Sequence, residues 1–152
     1  MLCFSFDYND YRLDRYKCYH VLKDKDFVVN LNDNNYDHTN PAFCGKVPLE
    51  INYSFLHKSY YVLCPKGAGE DTHRFWEAIY LNTIPIVKKT YTAFDKLFEV
   101  FPCLIVEDWT QITEELLSNN LQNCMEKMRR FHTKYPNAYT DIKSIKELLL
   151  QT

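Results

Sequence analysis

Glycine is scarce in this chain. Only three occur in 152 residues, and two of them, Gly67 and Gly69, flank a single alanine. Glycine is the residue that lets backbone turn sharply or approach another group closely, so the pair marks one specialised turn. Long hydrophobic runs are missing as well. No stretch approaches the roughly 18 apolar residues of a membrane span. Met1 leads into Leu2, Cys3 and Phe4 without a basic segment and a cleavage site. A cytoplasmic chain with neither signal peptide nor transmembrane segment is expected. Neither sign of charge dominates: 18 basic and 20 acidic side chains leave a net charge of -2. That denies the chain the broad positive field that holds nucleic acid, and no nucleic-acid partner is expected. Six cysteines stand at positions 3, 18, 44, 64, 103 and 124, none in a Cys-x-x-Cys pair. They read as reduced, buried thiols of a cytosolic-type compartment, without a disulfide. Histidines at 20, 38, 57, 73 and 132 share no ligand spacing with cysteines or carboxylates, so no metal is expected. Gly-x-Gly-x-x-Gly after a first strand is also absent, which removes the usual dinucleotide fingerprint.

What is present is a globular composition, 46% hydrophobic and 16% aromatic, with twelve tyrosines and ten phenylalanines. The length suits a single domain over residues 1–152, able to bury about 70% of the unfolded chain's surface. Short apolar runs of strand length recur at 1–6, 27–29, 60–64, 84–87 and 103–106. Helical patterns lie between them: one through Tyr16, Tyr19, His20 and Leu22, others at 51–57, from Asp71 or Thr72 to about Asn82, and at 94–98. A long amphipathic helix at 110–131 and a terminal one at 140–150 complete the reading, and the Asn/Asp-rich stretch 30–40 is a loop by composition. Strands alternating with helices at these lengths predict an α/β fold with a Rossmann-like parallel sheet flanked by helices. In such sheets ligands bind beyond the carboxyl ends of the strands.

The loop after residues 60–64 sits at such an end. Gly67 and Gly69 let the backbone turn there, and the helix starting near Thr72 presents free N–H groups and the positive end of its dipole, the outline of a phosphate site. The dipole contributes only about 0.3–1 kcal/mol per charge, so a diphosphate also needs a cation, which His73 or Arg74 supplies from the first turn. Glu77, three residues beyond Arg74, shares its side of the helix and is placed to accept hydrogen bonds from ribose hydroxyls. On the helix alone, an Arg74–Glu77 ion pair on a solvated face is the plainer expectation. Glu70 and Asp71 are the candidates for a catalytic carboxylate in this loop.

The block Leu63-Cys64-Pro65-Lys66-Gly67-Ala68-Gly69-Glu70-Asp71-Thr72-His73-Arg74-Phe75-Trp76-Glu77-Ala78, followed by Ile84-Pro85-Ile86-Val87, resembles the conserved segment of exostosin-like glycosyltransferases. That pattern is a strand, Pro-x-Gly-Asn-Gly, a variable residue, Asp-x-His-Arg-x-Trp-Glu-Ala and an Ile-Pro-Ile/Val strand. The likeness extends more loosely to Leu104, Ile105, Val106, Glu107, Asp108 and Trp109, to Ile112, Thr113 and Glu114, and to Arg12 and Arg15. It implies the C-terminal, donor-binding half of a GT-B architecture, which holds a nucleotide diphosphate sugar without an Asp-x-Asp metal site. The function it implies is transfer of a sugar to a hydroxyl of a glycan or glycoprotein, with the other half of the cleft on a partner chain or a longer polypeptide. Ala68 stands where the family has Asn, which removes a side-chain amide from the turn.

An alternative from another class is a non-catalytic nucleotide-sugar-binding or scaffold module that completes its cleft with a partner chain. Asp24-Lys25-Asp26 fits the three-residue pattern that holds a divalent cation in other transferases, but so short a match reads first as a solvated turn. Trp76 is expected in the core beneath its helix, and Trp109 is a candidate for stacking on a base or sugar. Lys88 and Lys89 follow a strand at its carboxyl end, where a cation meets phosphate or simply water. His38 lies in the Asn-rich loop. Arg129, Arg130 and Lys134 suit the C-terminal end of a helix dipole better than a nucleic-acid strip.

Overall fold

The short apolar runs pair side by side. A computed structural model of the chain describes residues 2–4, 6, 13–31, 48–70 and 72–136. Within them the order is β1 (Leu2–Phe4), α1 (Leu13–Leu22), β2 (Val28–Asn30), α2 (Leu49–Lys58), β3 (Tyr61–Leu63), α3 (His73–Tyr80), β4 (Ile84–Lys88), α4 (Ala93–Val100), β5 (Leu104–Val106) and α5 (Glu114–Lys134). The strands form one five-stranded sheet in the order β2-β1-β3-β4-β5. Every neighbouring pair is parallel. The fold is thus α/β with a Rossmann-like parallel sheet, as the alternation predicts. Chain order reverses between β1 and β3, the position where sheets of this kind open a crevice.

Burial explains why the strands read as unbroken apolar runs. All three residues of β3 are buried, as are Ile84, Pro85, Ile86 and Val87 of β4, because helices cover both faces. Phe75, Ala78 and Ile79 form the buried stripe of α3, and Leu117, Cys124, Met128 and Phe131 that of α5. An aromatic cluster joins α3, α4 and α5: Phe75 lies 5.3 Å from Phe98 and 5.8 Å from Phe101, and Phe101 lies 5.4 Å from Phe131, between ring centroids. Each such pair adds roughly 0.5–1.5 kcal/mol beyond its buried area. Two buried hydroxyls tie helices to the sheet: Tyr61 donates to the Leu117 carbonyl at 2.8 Å, and Thr83 to that of Leu56 at 2.6 Å.

Several boundaries differ from the sequence reading. Tyr60 is exposed and lies outside β3, although the Cys64 N–H still donates to Ile86 across the sheet at 2.9 Å. Cys103 precedes β5. The helix expected over 110–131 is two elements, because the sequence carries two start signals. Asp108 and Gln111 form a capping box around one 3-10 turn, Trp109–Gln111, and Thr113 then caps α5 by accepting from the Leu116 N–H. Helix α3 ends at Tyr80 rather than Asn82, which takes a left-handed φ of 57°. Thr72 holds the N-cap position of α3 by backbone conformation, but its hydroxyl makes no capping bond. The expected helix at 140–150, most of the loop at 30–40, and Arg12, His38, Cys44 and Asp71 lie outside the described residues. Among the described residues no helix is long and apolar enough to cross a membrane, and no cluster of His, Cys, Asp and Glu is placed to hold a metal ion. Cys3, Cys18, Cys64, Cys103 and Cys124 are free and buried.

Candidate functional site

The loop between β3 and α3 leaves the sheet at its carboxyl end, beside the reversal of strand order. The Gly67 N–H donates to the Gly69 carbonyl at 3.1 Å, which folds the chain back within three residues. A Cβ on Gly67 would stand 2.7 Å from Arg15 Nη2, closer than side-chain carbons tolerate. The close approach that glycine permits here is therefore made by a guanidinium from α1. Arg15 Nε donates to the Lys66 carbonyl at 3.2 Å and holds that position. The sequence placed Arg15 only loosely in its family pattern; the tertiary structure lays it on the glycine turn.

Asp14, next to it in the first turn of α1, joins three further segments. Its Oδ2 accepts the Lys66 N–H at 3.0 Å. Its Oδ1 accepts Lys88 Nζ at 3.0 Å and Trp109 Nε1 at 2.9 Å. One carboxylate thus binds together the first turn of α1, the loop after β3, the end of β4 and the turn after β5. Trp109 is buried and its one polar atom is committed to Asp14, so it is a structural residue and not the stacking surface considered for it. No local sequence signal marks Asp14, because its partners lie 52, 74 and 95 residues away.

Arg74 and Glu77 form the ion pair expected from their spacing, Nη1 to Oε2 at 2.8 Å, but not on a solvated face: their side chains are only 17% and 27% exposed. The pair is turned toward the sheet and α2. Desolvation first, then the Glu77 carboxylate, raises the Tyr53 phenol, to which Glu77 is also hydrogen-bonded. The positive charge of Arg74 acts on the thiols of Cys3 and Cys64, but burial outweighs it and pushes Cys3 up to about 11 and Cys64 still higher. Neither thiol is a nucleophile near neutral pH. His73 is exposed at the helix start, as are Ala68 and Gly69 in the turn. Trp76 is half-buried, edge-on to Phe101 at 5.1 Å, in keeping with a packing role. Asp24, Lys25 and Asp26 are exposed, the solvated turn of the plainer reading.

Beside the glycine turn, a cavity of about 370 Å³ opens at the carboxyl ends of β3 and β4. Cys64, Val87 and Phe98 line its apolar part; Asp14, Lys66 and Glu70 form one polar side. Lys66 Nζ pairs with Glu70 Oε1, while Glu70 Oε2 is buried without a hydrogen-bond partner among the described residues. The other side is Lys88 at the end of β4 and the turn after it, Lys89 to Tyr91. Asp95, in the first turn of α4, accepts from Thr90 N at 2.7 Å, Thr90 Oγ1 at 2.9 Å and Tyr91 N at 2.7 Å. These bonds hold Tyr91 at a left-handed φ of 58°, uncommon for an aromatic residue. Its hydroxyl donates to Glu107, and Lys89 Nζ lies 5.2 Å from the ring centre while pairing with Glu107 at 3.0 Å. The sequence reading singled out Lys88 and Lys89, named Glu107 only within the looser family likeness, and missed Tyr91 and Asp95.

The sequence-derived set therefore divides in space. Gly67, Gly69 and Thr72 lie in the β3–α3 connection, His73 and Arg74 open α3 and Glu77 lies one turn inside, whereas among them and Glu70 only Glu70 lines the cavity. Compared with known proteins, the chain matches no family model and no curated protein, so the geometry of the site carries the functional reading.

Proposed function

We propose that this chain is the donor-binding part of an exostosin-like glycosyltransferase, equivalent to one half of a GT-B fold. It takes a nucleotide diphosphate sugar and passes the sugar to a glycan or glycoprotein hydroxyl. One coincidence carries the reading: at the carboxyl end of β3, beside the reversal of strand order, a Gly-x-Gly turn, the Arg15 guanidinium and the N-terminus of α3 meet. A diphosphate there meets the N–H groups at the start of α3, the helix dipole and the Arg15 guanidinium, and draws Arg74, in the first turn of α3, away from its pair with Glu77. As the glycosidic bond breaks, negative charge grows on the leaving diphosphate, so these fixed donors stabilise the transition state more than the ground state. Glu77, which pairs with Arg74 and is hydrogen-bonded to Tyr53, is the carboxylate assigned in this reading to the ribose hydroxyls. The second wall of the cleft, and with it an acceptor site, belongs to a partner chain or to further sequence.

Calorimetry with UDP, GDP and CMP against their nucleosides tests this. Arg15→Ala and Arg74→Ala are each expected to weaken diphosphate binding by roughly 1.5–3 kcal/mol and nucleoside binding hardly at all. Glu77→Gln is expected to weaken both alike, because the ribose is common to them. Equal losses for nucleotide and nucleoside on removing either arginine, or no nucleotide binding by the parent, would refute the assignment.

A further inference from the structure

The cavity between β3 and β4 has a chemical character that the diphosphate site does not explain. Its three lysines are each matched by a carboxylate: Lys66 by Glu70, Lys88 by Asp14 and Lys89 by Glu107. An anion entering it must break one of these pairs, and a cation gains no excess of carboxylate. A hydroxyl group, which donates and accepts at once, fits between matched donors and acceptors without displacing either. Glu70 Oε2, buried and without a hydrogen-bond partner among the described residues, and on the opposite wall the Thr90 hydroxyl, whose proton goes to Asp95, each add an acceptor. Tyr91 stands at the rim with 76% of its surface exposed. It is no loose side chain: Asp95 fixes its backbone, Glu107 its hydroxyl, and Lys89 lies against the ring. An aromatic face held in place costs little entropy on binding, and its negative π-cloud attracts the weakly positive C–H face of a sugar ring.

We propose that this cavity is a carbohydrate subsite in which Tyr91 stacks on a pyranose or furanose ring and Lys66, Glu70, Lys88 and Thr90 engage its hydroxyls. The inference rests on the proposed function only for what carries the sugar: the ring belongs either to the nucleotide-linked donor or to the acceptor glycan. The chemistry recognised is the same.

Ligand-observed NMR and calorimetry with three sets of probes test it: nucleotide sugars carrying UDP, GDP or CMP, the same nucleotides alone, and methyl glycosides of common hexoses and pentoses. Tyr91→Ala is expected to weaken sugar-bearing probes about three- to tenfold, the scale of one aromatic contact, with bare nucleotides unchanged and Tyr91→Phe close to the parent. Tyr91→Gly, which accepts the left-handed backbone without strain, is the folding control. It is expected to lose the same binding while unfolding at a temperature no lower than Tyr91→Ala. Tyr91-dependent binding of nucleotide sugars assigns the subsite to the donor, and of glycosides to the acceptor. Glycosides that bind through Tyr91 when no nucleotide binds would refute the donor reading and leave the subsite standing. Equal losses for nucleotides and nucleotide sugars would show that Tyr91 stacks on the base. Unchanged affinity in Tyr91→Ala, or no saccharide probe bound by the parent, would overturn the inference.

Discussion

Removing the Asp14 carboxylate tests whether the carboxyl-end surface is held by the residue that joins its four segments. In Asp14→Ala three donors lose their acceptor, and they differ in how well water replaces it. The Lys66 N–H is exposed and Lys88 is 28% exposed, so each rehydrates and the loss is about 0.5–1 kcal/mol apiece. Trp109 is only 1% exposed, so its Nε1–H is left without a partner at a cost of about 1–3 kcal/mol. The sum is about 3 kcal/mol, which for a chain of this length lowers the melting temperature by roughly 6–12 °C. Asp14→Asn keeps a carbonyl oxygen for Trp109 and Lys88, which share Oδ1, but turns an amide toward the Lys66 N–H and removes the charge opposite Lys88, and about half the loss is expected. Urea unfolding followed by fluorescence in a Trp76→Phe background isolates Trp109, whose emission is expected to shift to the red in Asp14→Ala before unfolding begins. A loss below about 0.5 kcal/mol with Trp109 emission unchanged would refute the reasoning, since surface substitutions without structural consequence fall in that range.

Gly67→Ala is expected to fold with a loss of about 1 kcal/mol or less, because the atom its methyl meets is the end of a flexible arginine. It displaces Arg15, so diphosphate affinity should fall as in Arg15→Ala; calorimetry showing full affinity would separate Arg15 from the ligand. Stability should also decline in alkali. Burial raises Cys3 to about 11 and Cys103 to about 12, above the 9.0 of a free thiol. Below pH 9.0 both states keep these protons and nothing is lost. Above it the unfolded thiols ionise first, so stability falls through the folded values, by up to about 1.4 kcal/mol per pH unit for each thiol. Urea midpoints measured across this range, with Cys103→Ala expected to flatten the slope, check it; a profile level through the alkaline range would contradict the burial of these groups.

Much of the fold was legible because each signal was local. Tyr61, Val62 and Leu63, or Ile84, Pro85, Ile86 and Val87, read as strands because helices cover both faces of a parallel sheet, and that burial leaves an unbroken apolar run. The boundaries that moved did so where two local signals competed, as Asp108 and Thr113 both start a helix. The Gly-x-Gly turn and the Arg74–Glu77 spacing were likewise visible. What the spacing could not settle is which way that pair faces, since an i,i+3 ion pair forms equally on a wet or a covered side. Only the packing of α3 against the sheet and α2 decided it.

The strand order, and hence which loops meet, also belongs to the tertiary structure alone. Asp14 contacts residues from three distant segments, and the Tyr91 ring is fixed by Lys89 and by a carboxylate beyond β5. The sequence by itself determined the alternation of strands and helices, because hydrophobic period and turn chemistry act over a few residues. The tertiary structure decided which cation lies on the glycine turn and which aromatic ring rims the cavity, because those contacts exist only once parallel strands bring their carboxyl ends to one edge.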